Sequence, residues 1–144
     1  MLYILSFFQP LLFLLLPSNY KQVASYSYSE YGNSKYENFG FWISDTNKPV
    51  IEYTYGKKSL EVPVKYLGKC KLGNDKYFKM LLNNKLTLYV SIEKHNLRIE
   101  SASGNYNKLF AWQYEGPING IGMYCEPCTQ DEEESENFLF KYYF

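Results

Sequence analysis

Between residues 39 and 114, short strand-like runs alternate with turn residues at a spacing of roughly eight to twelve residues. The turns are rich in Asn, Asp and Gly, which tolerate positive φ or bond to their own backbone. Aromatic residues make up 19% of the chain, and they favour strands. This spacing predicts a mainly β fold, a small antiparallel barrel or sandwich of about seven strands, at residues 39–44, 50–55, 60–67, 77–82, 86–93, 97–101 and 109–114.

Two runs carry more detailed signals. In 86–92, Leu and other aliphatic residues alternate with polar ones, so one face of this strand should be buried. Asn83 and Asn84 precede it and suit a two-residue type I′ hairpin. In the run 60–67, Pro63 cannot donate to a ladder hydrogen bond, which favours an edge strand.

The chain end changes character. Thr129 and Glu132 match a capping box, with acidic residues in the first turn, and they predict a helix over residues 130–143. The competing interpretation is a final strand over 138–144, because aromatic residues also suit strands.

The first 17 residues are almost entirely apolar and resemble the hydrophobic region of a secretory signal. The run is too short to be a stable membrane span, and Gln9 and Pro10 interrupt it. Small residues predict cleavage after Ala24 or Ser25. The expected organisation is a signal peptide (1–24), a flexible leader (25–38) and one β-rich domain (39–144), in a secreted or periplasmic protein. The alternative for the apolar run is a buried helix.

The chain has three cysteines. In an exported protein we expect Cys70 to pair with Cys125 or Cys128, because closing a loop of about 55 residues stabilises by roughly 3 to 4 kcal/mol. The alternative is a redox pair in Cys125-Glu126-Pro127-Cys128, placed before the predicted helix where its dipole would lower a thiol pKa. A zinc site of these cysteines with His95 lacks a diagnostic spacing, so no metal and no cofactor is predicted.

No catalytic residue stands out. His95 is the only histidine, so any catalytic triad would need it, and no nucleophile-elbow motif such as Gly-x-Ser-x-Gly is present. The sequence therefore supports no enzyme class.

Charge is distributed unevenly although the total is zero. Residues 48–98 carry eleven basic and four acidic residues, a net of +7, whereas residues 115–136 carry seven acidic residues and no basic one. Lysines such as Lys57, Lys58, Lys69 and Lys71 could bind an anionic glycan, or they could only block edge-to-edge aggregation. Nucleic acid is not expected, since Arg98 is the only arginine.

Two aromatic groups are candidate binding residues. Gly40-Phe41-Trp42 resembles the Gly-x-Trp signature of the lipocalins, and this resemblance implies that Trp42 packs at the closed end of a barrel beneath a ligand cavity. The alternative is an ordinary core Trp. Phe110, Trp112 and Tyr114 form a second stripe at strand spacing, which is either core or a sugar-stacking surface.

Together these features predict an exported, noncatalytic binding or surface-interaction module whose partner is another protein or an extracellular glycan. Two alternatives remain, a thiol-dependent redox protein and a carrier of small apolar ligands with a lipocalin-like barrel.

Overall fold

The computed structural model describes residues 19–29, 36–56, 60–120 and 122–144. Eight strands precede one helix: β1 (Lys21–Ser29), β2 (Tyr36–Ile43), β3 (Pro49–Tyr55), β4 (Leu60–Leu72), β5 (Asp75–Leu82), β6 (Leu86–Glu93), β7 (Asn96–Ser101), β8 (Asn107–Trp112) and α1 (Glu126–Tyr142). The apolar run 1–17 lies outside the described residues, so the signal peptide stays a prediction.

The strands form a closed antiparallel barrel. Each strand pairs with the next one in the sequence, and β8 returns to pair with β1. The predicted mainly β fold with a C-terminal helix is confirmed. All seven predicted strands are present as β2 to β8, and β6 has the predicted bounds.

The eighth strand is β1, which the sequence interpretation assigned partly to a signal peptide and partly to a leader. Ala24 and Tyr26 are buried in the core, and the ring of Tyr28 packs on Phe110. Ser25 and Ser27 alternate with them on the other face of the strand and are also buried, at 4% and 9% exposure. Asn38 on β2 donates to both Ser25 and Ser27, at 2.7 and 2.8 Å. Residues 25–29, which the sequence interpretation placed in a leader, therefore belong to a strand of the barrel, where Tyr alternates with Ser at a period of two.

β4 is not an edge strand. It pairs with β3 on one side and β5 on the other. Pro63 is tolerated because β5 ends at Leu82, so its register partner lies only on β3, at Glu52. On the β5 side, the Pro63 carbonyl accepts from Asn83 N at 3.2 Å. Asn83 and Asn84 have the predicted positive φ, 50° and 56°, although three residues separate the paired Leu82 and Leu86.

The barrel interior is packed with apolar side chains from all eight strands. Its residues with 2% exposure or less include Tyr26, Phe39, Phe41, Ile51, Phe78, Met80, Leu88, Val90, Leu97, Ile99 and Phe110. Aromatic rings meet across the interior: the Phe39 and Phe110 centroids are 5.0 Å apart, and those of Phe41 and Phe78 are 6.2 Å apart.

α1 closes one end of the barrel. Leu139 and Tyr143 are fully buried, and the Tyr143 ring packs against Phe41, Tyr66 and Phe78. The predicted helix is confirmed, and the competing strand over 138–144 is not formed. Among the described residues, no helix has the length and apolar character needed to cross a bilayer.

α1 begins four residues earlier than predicted. Cys125 is the N-cap, and its Sγ accepts from Cys128 N at 3.2 Å. Pro127 occupies the first turn, where a missing N–H costs nothing. Thr129 is therefore inside the helix, and its hydroxyl donates to the Cys125 carbonyl at 3.3 Å. The predicted Thr129 cap is wrong, because Cys125 already performs that role.

Candidate functional site

A cleft of about 280 Å³ lies where the start of β1 and the end of β8 meet α1. It is open to solvent and combines aromatic, amide and charged side chains. Its lining includes Gln22, Trp112, Gln113, Tyr114, Asp131 and Glu134.

The aromatic wall of the cleft is held in place by hydrogen bonds. The ring centroids of Trp112 and Tyr114 lie 6.3 Å apart, with planes inclined at 32°. Trp112 Nε1 donates to Ser135 Oγ at 3.1 Å, and Tyr114 donates its hydroxyl to the Pro117 carbonyl at 2.8 Å. Both rings are partly exposed. The pair is thus an oriented apolar surface beside water, suited to stacking with a ligand.

Charge in the cleft is negative. Its carboxylates belong to Glu115, Asp131 and Glu134, and its ammonium group belongs to Lys21. Lys21 Nζ lies 3.3 Å from Glu134 Oε1, and both side chains are more than half exposed. Such an exposed pair contributes little stability. Three carboxylates against one ammonium disfavour an anionic ligand here.

The predicted binding residues do not form a single site. Trp112 and Tyr114 line the cleft, but Phe110 is completely buried in the core. Trp42 lies on the outer face of β2, because its neighbour Phe41 points inward, and its indole N–H donates to Glu52. The position that the lipocalin resemblance implied for Trp42 is therefore not observed, nor is the alternative of a core Trp.

The basic candidates lie elsewhere. Lys69 and Lys71 are near the end of β4, where they line a separate cleft of about 420 Å³ together with Cys70, Lys76, Tyr77 and Phe144. Lys57 and Lys58 lie outside the described residues. The structure thus gathers part of the predicted basic patch, away from the aromatic cleft.

The cysteine prediction is wrong. Cys125 and Cys128 form a disulfide with Cα atoms 5.2 Å apart, and Cys70 is free. The reason is distance: Cys70 shares a cleft with Phe144, beyond the C-terminal end of α1, whereas Cys125 caps its N-terminal end. A helix of 17 residues is about 25 Å long, and bridged Cα atoms must lie within about 7 Å. The same separation excludes a zinc site built from all three cysteines.

A polar cluster that sequence reasoning missed lies at the barrel end opposite α1. Glu37 points inward from β2 with a side chain only 4% exposed. It accepts from the Tyr106 hydroxyl and from Lys108 Nζ. Burial, with the nearby Glu37 charge and hydrogen bonding, raises the pKa of both Tyr53 and Tyr106. Glu37 and Lys108 lie on the inner faces of two strands, but the sequence showed no sign that β2 and β8 place them together.

The Glu37 cluster is internally satisfied. One carboxylate oxygen of Glu37 bonds Tyr106 and the other bonds Lys108. The Lys108 ammonium also lies 4.7 Å from the Tyr28 ring centroid and 4.8 Å from that of Tyr106. Because each oxygen of this buried acid has a partner, the cluster fits a structural role better than a binding role.

Comparisons with protein-family models, curated proteins and solved structures found no match to this chain. A closed eight-stranded up-and-down barrel is shared by lipocalins and unrelated small barrels, so the architecture alone assigns no function. The functional interpretation must therefore depend on the cleft geometry.

Proposed function

We propose that this protein is a noncatalytic binding module that holds a neutral glycan in the cleft between β1, β8 and α1. The observation that carries the proposal is the fixed, partly exposed pair of Trp112 and Tyr114 at the wall of a polar cleft. Sugar rings present an apolar C–H face to aromatic rings and hydroxyl groups to polar side chains.

The polar residues of the cleft fit such a ligand. Gln22 and Gln113 offer both donors and acceptors, and Asp131 accepts hydrogen bonds from hydroxyls. The excess of negative charge disfavours sulfated or uronic glycans. A pocket with an apolar wall and a few polar groups is the usual form of a small-molecule site, although this cleft is at the small end of that range.

The packing of the barrel interior favours ligand binding in the cleft over the alternative function, in which the barrel carries a small apolar ligand. A carrier needs empty apolar volume inside the barrel. Here Phe39, Phe41, Phe78 and Phe110 are all 0% exposed and meet across the interior. Ligand entry would require these rings to repack.

The test is a binding survey with neutral oligosaccharides, followed by calorimetry on the glycan bound. Tyr114→Ala should weaken binding about fivefold to tenfold, equivalent to about 1 kcal/mol of stacking. Tyr89→Ala is the matched control, because Tyr89 packs on Tyr77 on the outer barrel wall. In a Trp42→Phe background, only Trp112 fluorescence should report the ligand. Equal losses in the Tyr114 and Tyr89 variants, or binding of none of the neutral glycans, would refute the proposal.

Export is part of the same proposal. The apolar run 1–17 supports it, and the Cys125–Cys128 disulfide is compatible with an oxidising compartment. Because β1 begins at Lys21, cleavage after Ala24 would remove the residues that pair with Trp42 and Ile43. N-terminal sequencing of secreted protein should therefore find a start between Ser18 and Lys21. Recovery of intact Met1 from a cytosolic fraction would contradict export.

A second candidate function is thiol–disulfide exchange at Cys125 and Cys128. The supporting observation is that their disulfide lies at the N-terminus of α1, where the helix dipole favours a thiolate. In the reaction, a dithiol substrate would become a disulfide, and its two electrons and two protons would reduce the protein pair. Equilibration with glutathione buffers measures the potential. A value above about −230 mV supports this function, and one below about −300 mV indicates a structural disulfide.

A further inference from the structure

The only histidine of the chain meets two carboxylates of α1. His95 lies in the tight turn between β6 and β7, where Lys94 and His95 have φ of 48° and 71°. This turn directs the imidazole to the helix. Glu132 and Glu136 are four residues apart, so they lie on one face of α1.

The three side chains form a compact set of metal-binding atoms. One nitrogen of His95 and one oxygen from each glutamate all lie within 4.8 Å of one another. His95 Nδ1 contacts Glu136 directly and lies 3.7 Å from Glu132 Oε1. The side chains are 64%, 31% and 23% exposed for His95, Glu132 and Glu136. A cation could therefore reach all three from solvent.

The two carboxylates make this place favourable for a cation. Two carboxylates at positions i and i+4 repel each other on a helix. Their negative charge also acts on Tyr26. Burial raises the pKa of the Tyr26 hydroxyl most, and the charges of Glu136 and Glu132 raise it further. The Tyr26 hydroxyl is fully buried and has no hydrogen-bond partner among the described residues. A bound dication would neutralise both carboxylates together.

We propose that His95, Glu132 and Glu136 form a binding site for a divalent transition-metal cation of the Zn²⁺ type. Imidazole nitrogen with carboxylate oxygen suits Zn²⁺, whereas Mg²⁺ and Ca²⁺ require oxygen ligands only. Three protein ligands leave at least one position for water. Since the ligands come from a β-turn and from α1, the metal joins the helix to the barrel.

This site is separate from the glycan cleft. Glu132 and Glu136 are distinct from Asp131 and Glu134, the helix carboxylates that line the cleft. It also differs from the zinc site of cysteines and His95 that the sequence analysis considered, because His95 is next to Glu132 and Glu136 and not next to the cysteines. Either proposal can fail without the other.

The test is calorimetric titration of the full chain with ZnCl₂. A Cys70→Ser background removes the free thiol as a competing ligand. We expect one Zn²⁺ per chain with micromolar affinity, and no heat with MgCl₂. His95→Asn and Glu136→Gln should each weaken binding by more than about tenfold, because even outer-shell changes have effects of this size at metal sites. Asn suits the positive φ of position 95 and retains the turn.

Glu133→Gln is the matched control, since it removes the same charge from an exposed position of α1 outside the cluster. Its Zn²⁺ affinity should stay within about twofold of the background. Zn²⁺ should also raise the melting temperature of the background protein and not that of His95→Asn. Absence of Zn²⁺ binding, or equal weakening by Glu133→Gln and Glu136→Gln, would overturn the proposal. Loss of binding on Cys70→Ser substitution would overturn it too.

Discussion

Glu37 shows how one buried charge is accommodated inside this barrel. Its carboxylate is 4% exposed and is held by Lys108, whose own side chain is 26% exposed, and by Tyr106. An acid in such a place is stable only while its partners remain, because an unpaired buried charge is costly.

Replacing Glu37 by Gln should reduce the free energy of unfolding by about 1 to 3 kcal/mol, since the amide cannot serve both a charged and a hydroxyl donor. Glu134→Gln is the control, because its pair with Lys21 is exposed and should contribute less than about 1 kcal/mol. Urea denaturation measures both variants. Equal midpoints for Glu37→Gln and the unmodified chain would show that the buried ion pair contributes nothing.

Single residues were harder to assign from the sequence than the strands that contain them. Trp42 and Phe110 both lie on predicted strands, yet one faces outward and the other is core. Alternation shows that neighbours face opposite sides, but Gly40 and Trp42 flank Phe41 with no polar contrast to indicate which side is inside. The predicted disulfide of Cys70 was wrong for another reason, because the distance between Cys70 and Cys125 depends on where α1 packs on the barrel.

At the scale of elements, Ser135 is the buried polar contact through which α1 meets β1 and β8. Ser135 is 2% exposed, accepts from Trp112 Nε1, and is 2.9 Å from the Val23 carbonyl and 2.7 Å from that of Asp131. This hydroxyl therefore connects the helix with β1 and with the end of β8.

Two substitutions that each remove a hydroxyl group from α1 should distinguish packing of the helix on the barrel from formation of the helix itself. Ser135→Ala should lower the free energy of unfolding by about 1 to 3 kcal/mol, because it leaves Trp112 Nε1 without its partner. Thr129→Ala should change it by less than about 0.5 kcal/mol, since Thr129 is exposed and Ala has the higher helix propensity. Thermal melts followed by circular dichroism compare them. A larger loss of stability for Thr129→Ala than for Ser135→Ala would contradict this expectation.

Strand positions were predictable because turn residues mark them locally. The positive φ at Asn83 and Asn84 is a property of those two residues. β1 was missed because its Ser and Tyr residues have weak hydropathy contrast, and because it follows an apolar run that suggested a leader. Closure of the barrel was not predictable, since pairing of β1 with β8 joins residues more than 80 positions apart.

At the scale of the whole molecule, the raised pKa values of buried tyrosines predict a loss of stability at alkaline pH. Burial raises the pKa of Tyr53, Tyr106 and Tyr143 above their ordinary value of 10.0, and Glu37 adds to the shift for the first two. Below pH 10 both the folded and unfolded chains keep these protons. Above it the unfolded chain loses them first, so the folded state becomes progressively less stable as pH rises.

We therefore expect alkaline unfolding to coincide with ionisation of these tyrosines. Absorbance at the phenolate band should rise gradually for exposed tyrosines and then in a cooperative step at the pH where circular dichroism reports loss of the barrel. Tyr53→Phe should move that step to higher pH, whereas Tyr89→Phe should not. Full ionisation of all tyrosines in a still folded barrel would contradict the expectation.

The ladder between β1 and β8 is the shortest one in the described part of this barrel. It contains the register pairs Tyr26 with Trp112 and Ser27 with Ala111, and Gln113 N adds a bond to the Ser25 carbonyl at 2.8 Å. Amide exchange should thus be fastest along this line. A β1 that detaches there remains joined to its own β2 and exposes a free edge on β8, which the β1 of another copy can fill. We therefore expect concentrated protein to form dimers by reciprocal strand exchange, in which each subunit completes its neighbour.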